Sequence, residues 1–199
     1  MAAITISRQM GSLGRDVARV VAARLGYRMV WREVINQAAL QAGMPEVALA
    51  TIDELGLLGL RPSSQARRAY HDAVRRVIEA LAATGNVVIV GRAGQVILRD
   101  RPDVLHVKVM APASLRAGRV ARTQNIPLAA AQAQVQASDR ARRNYLRRYY
   151  QARWDDPELY DLIINTARLT PESAADLVCR ALRQLQQAQE PPPQQKEPS

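Results

Sequence analysis

The first 26 residues carry the feature that most constrains the fold: a short strand, a glycine-containing turn and a helix follow one another directly. A β-branched strand at 4–7 leads into the turn "RQMGSLGRD", and apolar residues then recur at helical spacing from 17 to 25. Gly26 stands where a helix C-cap belongs. In this arrangement the N–H groups of the turn and the helix N-terminus converge, which favours phosphate as a ligand.

The turn fits the phosphate-binding pattern G-x-x-x-x-G-K-[ST] only in part. Gly14 takes the second glycine and Arg15 the lysine, whereas Gln9 stands at the first glycine and Asp16 at the hydroxyl that would hold magnesium. Glycine-containing turns between a strand and a helix are common, so this segment alone leaves phosphate binding and a plain structural turn equally open.

Composition limits the class of protein and its partners. A length of 199 residues suits one domain with a real core, and the formal charge of +10 suggests an anionic partner, although an arginine- and alanine-rich codon bias alone can produce it. Few aromatic residues argue against a surface that stacks bases. We expect no membrane span or signal peptide, an inert core position for Cys179 and a cytoplasmic location.

The rest of the chain alternates short apolar strands with helices. Strands are predicted at 27–31, 87–90, 104–110 and 160–164, and helices at 32–42, 65–83, 95–98, 114–122, 127–153 and 171–187, the last with Thr170 as N-cap. A further helix is predicted from about 45, a connector at 52–64 and a disordered tail at 189–199. This alternation predicts an α/β fold whose five-stranded parallel sheet has helices on both faces. Ligands bind at the carboxyl ends of such strands, where 7–15, Arg32, 91–94 and Asn165 all fall.

Arginine residues supply the candidate anion ligands. Arg92 follows a buried strand between glycines, a context that favours a contact with phosphate or base. The arginines at 116, 119 and 122 share one helix face, for which solvent exposure is the simpler expectation. The most basic segment, 139–150, is either a nucleic-acid-binding helix or a mobile lid that closes on a nucleotide triphosphate, and Asp139 is expected to pair with Arg143 along it.

Histidine and cysteine residues do not suggest a metal or nucleophilic site. One cysteine and two separated histidines, His71 and His106, cannot make a zinc site. Neither histidine falls at the carboxyl end of a predicted strand, which argues against a Ser-His-Asp triad. We expect His106 to be structural.

Three stretches, in this order, resemble the cytidylate kinase-like family of P-loop nucleoside monophosphate kinases. They read "ITISRQMGSLGRDVARVVAARLG", "VVIVGRAGQVILRDRPDVLHVKVMAP" and "SDRARRNYLRRYYQARWDDPELYDLIINTARLTPESAADLV", and the resemblance covers about 4–182. It implies a P-loop NTPase fold with strand order 2-3-1-4-5 and a helical arginine-rich lid. In the implied domain, 1–188, the acceptor is held by a helical part at 32–83 and the lid spans 123–153.

The resemblance implies transfer of the γ-phosphoryl group of ATP, with Mg²⁺, to a small-molecule acceptor, by default CMP or dCMP; neither a membrane nor nucleic acid is an expected partner. It implies a donor-phosphate site made by Gly11, Ser12, Gly14, Arg15, Asp16, Arg140 and Asn165. The implied acceptor site holds Arg32, Arg92 and Arg143, the implied catalytic residues are Arg15, Asp139 and Arg143, and Asp16 is the candidate magnesium ligand.

The chain departs from that family at four positions. Arg15 replaces a lysine, Asp16 a hydroxyl residue, Ala93 an aspartate and Trp31 an acidic residue. Three functions therefore stay open. The chain is a phosphotransferase whose lid arginines compensate, a nucleotide-binding protein without catalysis, or a nucleic-acid-binding protein that uses 140–153.

Overall fold

A computed structural model of the chain describes residues 2–41 and 64–189. The predicted helix from about 45, nearly all of the predicted connector at 52–64 and nearly all of the predicted tail lie outside these ranges. No helix within them is both long and apolar enough to cross a membrane.

Strands and helices alternate along the described chain. The strands are β1 (Ala3–Arg8), β2 (Arg28–Val30), β3 (Val87–Val90), β4 (Val104–Met110) and β5 (Leu162–Asn165). The helices are α1 (Gly14–Leu25), α2 (Arg32–Gln41), α3 (Ser64–Thr84), α4 (Gly94–Ile97), α5 (Ala113–Gln124), α6 (Leu128–Tyr150) and α7 (Pro171–Gln189), with a 3₁₀ turn at Pro157–Leu159.

The five strands form one parallel sheet in the order β2-β3-β1-β4-β5. The central strand is β1, in which Ile4 lies opposite Val88 of β3 and Leu105 of β4. The predicted fold class and strand order are therefore confirmed. Because the strands are parallel, the segments after β1, β3 and β5 emerge at the same edge of the sheet.

The core has two layers because successive strand residues face opposite sides of the sheet. Ile4 and Ile6 of β1 belong to the cluster that packs with α1 and α7, whereas Val87 and Ile89 of β3 pack with α3 on the other face. These side chains are at most 2% exposed. Apolar burial on both faces makes the sheet a rigid support for the loops at its carboxyl edge.

At three element ends, the difference from the sequence-based expectation has a local reason. Helix α1 begins at Gly14 because Leu13, in the left-handed conformation (φ 61°), turns the chain directly into it. Helix α6 ends at Tyr150, since Gln151 is also left-handed (φ 53°). Strand β5 begins at Leu162, two residues later than predicted, because Tyr160 caps the 3₁₀ turn and donates its N–H to the Pro157 carbonyl oxygen. The predicted N-cap of α7 is confirmed: the Thr170 hydroxyl accepts the N–H of Ser173 at 3.1 Å.

Candidate functional site

The loop between β1 and α1 has a conformation that glycine makes possible. Gly11 has φ 76°, and a methyl group on it would lie 2.6 Å from the carbonyl oxygen of Arg116, so both its conformation and its surroundings exclude a side chain. Ser12 is fully buried, and its hydroxyl donates to the carbonyl oxygens of Gln9 (2.9 Å) and Val109 (3.0 Å). The Ser12 hydroxyl thus shapes the loop, and the place of Ser12 in the donor-phosphate site stays a prediction.

The carbonyl oxygens of this loop are all bound by donors of the protein. The donors are Ser12 for Gln9, Arg116 (3.2 Å) for Met10, Arg119 (3.3 Å) for Gly11, Thr166 (2.8 Å) for Ser12 and Val17 (2.9 Å) for Leu13. By contrast, none of the described residues accepts a hydrogen bond from the N–H groups of Gly11, Leu13, Gly14, Arg15 and Asp16. Free donors at a helix N-terminus, with the acceptors turned to the protein, make an anion-binding loop.

A cavity of about 360 Å³ lies against the loop. Its wall contains Gly11, Gly14, Arg15 and Asp16 from the loop side, and further residues from β1, α5 and α6: Arg8, Arg119, Thr123 and Arg142. Burial, helped by the nearby charge of Arg122, lowers the pKa of Arg119, but a guanidinium remains charged at neutral pH. The wall is rich in cations and backbone donors, as a polyphosphate site requires.

Arg15 is held against Trp31, the residue after β2. The guanidinium carbon lies 4.4 Å from the centroid of the indole ring, a cation–π contact. Two of the departures from the family pattern, an arginine for a lysine and a tryptophan for an acidic residue, are therefore in contact with each other. An acidic residue would hold a cation here by ion pairing, and Trp31 holds Arg15 by its π face instead.

Arg92 follows β3 in a backbone segment of unusual conformation. Gly91, Arg92 and Ala93 are all left-handed, with φ of 83°, 54° and 56°. Non-glycine residues in this region cost about 1–3 kcal/mol each and cluster at functional sites. The Arg92 side chain is only 2% exposed; it donates to Asn36 Oδ1 at 2.7 Å and lies 5.6 Å from the Tyr70 ring centroid. The cavity beside it measures about 20 Å³.

The charged side chains of helix α6 have other partners than the sequence predicted. Asp139 does not pair with Arg143: its two carboxylate oxygens bind Arg116 at 2.8 and 3.3 Å, while Arg143 binds Asp155 at 3.1 Å. Asp139 is 6% exposed and Arg143 lies in another cavity wall. The arginine of α6 that lines both the loop cavity and the Arg92 cavity is Arg142.

The expectation of a solvent-exposed arginine face on α5 is also wrong. Arg116 is 3% exposed and Arg119 half-buried, and only Arg122 of the three is exposed. Arg116 also donates to the carbonyl oxygen of Ala111 at 2.9 Å. Spacing along a helix could not reveal that the loop between β1 and α1 packs against this face and turns carbonyl oxygens towards it.

The remaining predicted residues lie around the edge of the site. Arg140 is exposed on α6, and Arg32 begins α2, although its side chain is outside the described ones. Asn165 is exposed at the end of β5, where its amide oxygen accepts the N–H of Ala167 at 3.0 Å and so shapes the following turn. Its neighbour Thr166 is fully buried and holds the loop.

A polar cluster that the sequence did not suggest fastens the segment after α6 to the sheet. Trp154 donates to the Ser7 hydroxyl at 2.9 Å, and the Tyr160 hydroxyl donates to the Trp154 carbonyl oxygen at 2.9 Å. Lys108 is 5% exposed and donates to Trp154 and Asp155. Burial raises the pKa of Tyr160 to about 12, so its hydroxyl stays a donor at neutral pH.

Asp16, an acidic side chain near the loop, is the candidate ligand for magnesium. Asp16 lines the cavity and is 42% exposed, with Arg19 at 2.9 Å. In residues 2–41 and 64–189, no group of three or more His, Cys, Asp or Glu side chains could hold a metal ion. Magnesium in kinases is bound by one or two carboxylates together with substrate phosphates and water, and Asp16 fits that pattern.

Comparison with known proteins agrees with the fold. A gluconokinase from Sinorhizobium meliloti superimposes with a TM-score of 0.58 at 16% identity, over 95% of this chain and 98% of its own. An uncharacterized protein from Eubacterium ventriosum gives a TM-score of 0.72 at 20% identity, over 92% of this chain and 98% of its own. These likenesses agree with the P-loop NTPase fold.

The chain belongs to the cytidylate kinase-like family, whose model matches residues 3–168. A cytidylate kinase from Halobacterium salinarum is 28% identical over 179 residues, which cover 90% of this chain and 88% of that protein. Family and fold together support a kinase-like phosphotransferase.

Proposed function

We propose that this protein transfers the γ-phosphoryl group of ATP to a nucleoside monophosphate, with CMP or dCMP as the preferred acceptor. The observation that carries the proposal is the loop at 11–16, whose N–H groups are left for an anion while its carbonyl oxygens are bound by the protein. The relative named a cytidylate kinase supports the choice of acceptor.

The donor phosphates would bind the loop N–H groups and the positive end of α1. Arg15 lines the same cavity and adds a full charge that Trp31 keeps in place. Asp16 would hold Mg²⁺, which neutralises phosphate charge when bound. Phosphoryl transfer depends mainly on positioning and charge stabilisation, so a cationic wall of this kind suits it even without the lysine.

The acceptor phosphate would bind Arg92, whose guanidinium is oriented by Asn36 and Tyr70. The cavity of about 20 Å³ beside Arg92 holds little more than one water molecule. Acceptor binding therefore requires α6 to move, because Arg142 and Tyr145 of that helix form part of the wall. Lid movements of this type occur in microseconds to milliseconds. Arg143 would reach the acceptor only after leaving Asp155, and Arg140 is exposed and open to a ligand.

A coupled assay for ADP release, with ATP, Mg²⁺ and each nucleoside monophosphate and its deoxy form, tests the proposal. We expect turnover with CMP or dCMP above the other acceptors. If ATP raises the melting temperature but no acceptor supports turnover, the protein binds nucleotides without catalysing transfer. If ATP changes neither the melting temperature nor the release of ADP, the loop at 11–16 does not bind the donor phosphates.

Two substitutions separate the donor and acceptor sites. Arg15→Ala should weaken ATP binding by roughly 10-fold or more, since a hydrogen bond to a charged group contributes about 1.5–3 kcal/mol. Arg92→Ala should raise the KM for the acceptor and leave the Kd for ATP nearly unchanged. Arg122→Ala is the matched control, because Arg122 is an exposed arginine on α5. A loss of ATP affinity in Arg92→Ala with an unchanged acceptor KM would reverse the acceptor assignment.

A further inference from the structure

Arg8, the last residue of the central strand β1, extends from the phosphate-binding loop to the segment that carries Arg92. A methyl group added to Gly14 would lie 2.4 Å from Cβ of Arg8, and one added to Gly91 would lie 2.4 Å from its Nη1 atom. Real Cβ atoms do not approach other atoms so closely. The glycines at both ends therefore make room for this one side chain, which is half-buried.

Arg8 also belongs to the walls of both cavities. Among the described residues, only Arg8 and Arg142 line the loop cavity of about 360 Å³ as well as the small cavity beside Arg92. Arg142 comes from α6, which has to move for the acceptor to bind. Arg8 belongs to the central strand β1, so its backbone stays in place whichever substrate is bound.

Arg15 and Arg92, two other cations of the proposed site, each line only one of the two cavities. Arg15 lines the loop cavity and is stacked on Trp31, while Arg92 lines only the small cavity and is bound to Asn36. A phosphoryl group that moves from donor to acceptor carries negative charge on its three peripheral oxygens at the midpoint between the two cavities. Arg8 lines both cavities, with its Cβ atom beside Gly14 at the loop and its Nη1 atom beside Gly91 next to the small cavity.

We propose that Arg8 is a catalytic residue whose guanidinium contacts the phosphoryl group during transfer, and that it supplies the central charge that a P-loop lysine would otherwise give. This inference rests on the proposed function. In the step, the bond between the γ-phosphorus and the bridging oxygen of ADP breaks, and a bond forms between that phosphorus and a phosphate oxygen of the acceptor. Arg8 donates hydrogen bonds and transfers no proton, because an arginine remains protonated in proteins.

The test compares Arg8→Lys and Arg8→Ala with wild type and with Arg122→Lys, the exposed control. Single-turnover transfer from ATP to CMP should fall by roughly 10²–10³-fold in both Arg8 variants, as for loss of one group that stabilises transition-state charge. The Kd for ATP should change by less than about 3-fold. Guanidinium ion added to Arg8→Ala should restore part of the rate, which it would not do if Arg8 only supported the fold.

A second readout does not need turnover. Aluminium fluoride together with ADP, Mg²⁺ and CMP mimics the phosphoryl group in transfer, and it should tighten ADP binding in wild type and not in Arg8→Lys. Tightening that depends on Arg8, without transfer to any acceptor, would keep the role of Arg8 and refute the proposed kinase activity. Transfer by Arg8→Lys within about 3-fold of wild type would overturn the role of Arg8 and keep the kinase. No transfer and no tightening in wild type would overturn both.

Discussion

The buried ion pair between Arg116 and Asp139 gives the sharpest test of how this site is built. The side chains are 4% and 8% exposed, and two hydrogen bonds join them at 2.8 and 3.3 Å. Asp139→Asn keeps the shape but leaves the guanidinium buried without its counter-charge. Breaking such a pair costs about 3–5 kcal/mol, a large part of the 5–15 kcal/mol that stabilises a typical domain.

For a chain of this length, 1 kcal/mol corresponds to about 2–4 °C in melting temperature, so Asp139→Asn should melt roughly 6–20 °C below wild type. The double variant Arg116→Met/Asp139→Leu removes both charges and should be more stable than the single variant. It should not reach wild type, because the carbonyl oxygens of Ala111 and Met10 would lose their donor.

Thermal and urea unfolding of the three proteins, with Asp100→Asn as control, measure these differences. Asp100 is 90% exposed, and its substitution should change little. If Asp139→Asn unfolds within about 1 kcal/mol of wild type, the argument from the buried pair is refuted. If that stable variant also loses phosphoryl transfer, the sequence-based prediction of a catalytic Asp139 gains support instead.

Two further perturbations concern His106 and Trp31. Burial lowers the pKa of His106 below its ordinary 6.5, so the folded state favours the neutral ring. The neutral ring therefore contributes fully to the free energy of unfolding above pH 6.5, and this contribution is lost as the pH falls towards the lowered pKa. Unfolding measured from pH 7.5 to 5 should therefore show a smaller loss of stability in His106→Gln than in wild type, and equal slopes would contradict this. Trp31→Ala should weaken ATP binding about 2- to 5-fold, because an exposed cation–π contact contributes about 0.5–1 kcal/mol to holding Arg15 in the cavity wall. Calorimetric titration measures this, with Trp31→Phe as the intermediate case; unchanged affinity would show that the stack does not orient Arg15.

Local patterns were enough to predict the parallel sheet and the edge at which the predicted site residues lie. The strand–turn–helix order and the apolar runs carry the information for a parallel sheet, whose carboxyl edge then gathers the loop, Arg92 and Asn165. The glycines around Arg92 suggested a ligand contact, but not that the segment is left-handed at three successive residues.

Local sequence patterns could not predict contacts between helices that lie far apart along the chain. Asp139 has a suitable arginine four residues away, yet it binds Arg116, which lies 23 residues earlier on another helix. Helical spacing gives the neighbours on one surface of a helix but not the partner against which that surface packs. Arg8 was within the recognised turn, but only the packing of Gly14 and Gly91 around its side chain distinguishes it from the other arginines.

The single guanidinium of Arg116 joins three parts of the molecule: the loop at Met10, the chain after β4 at Ala111 and helix α6 at Asp139. A ligand that shifts the loop therefore changes the energy of α6, and a ligand that moves α6 changes the energy of the loop. Thermodynamic linkage makes such an effect reciprocal: by whatever factor one ligand alters the affinity for the other, the second alters the affinity for the first. Measured in the presence and absence of its partner, either dissociation constant reports how strongly one buried arginine couples the two sites.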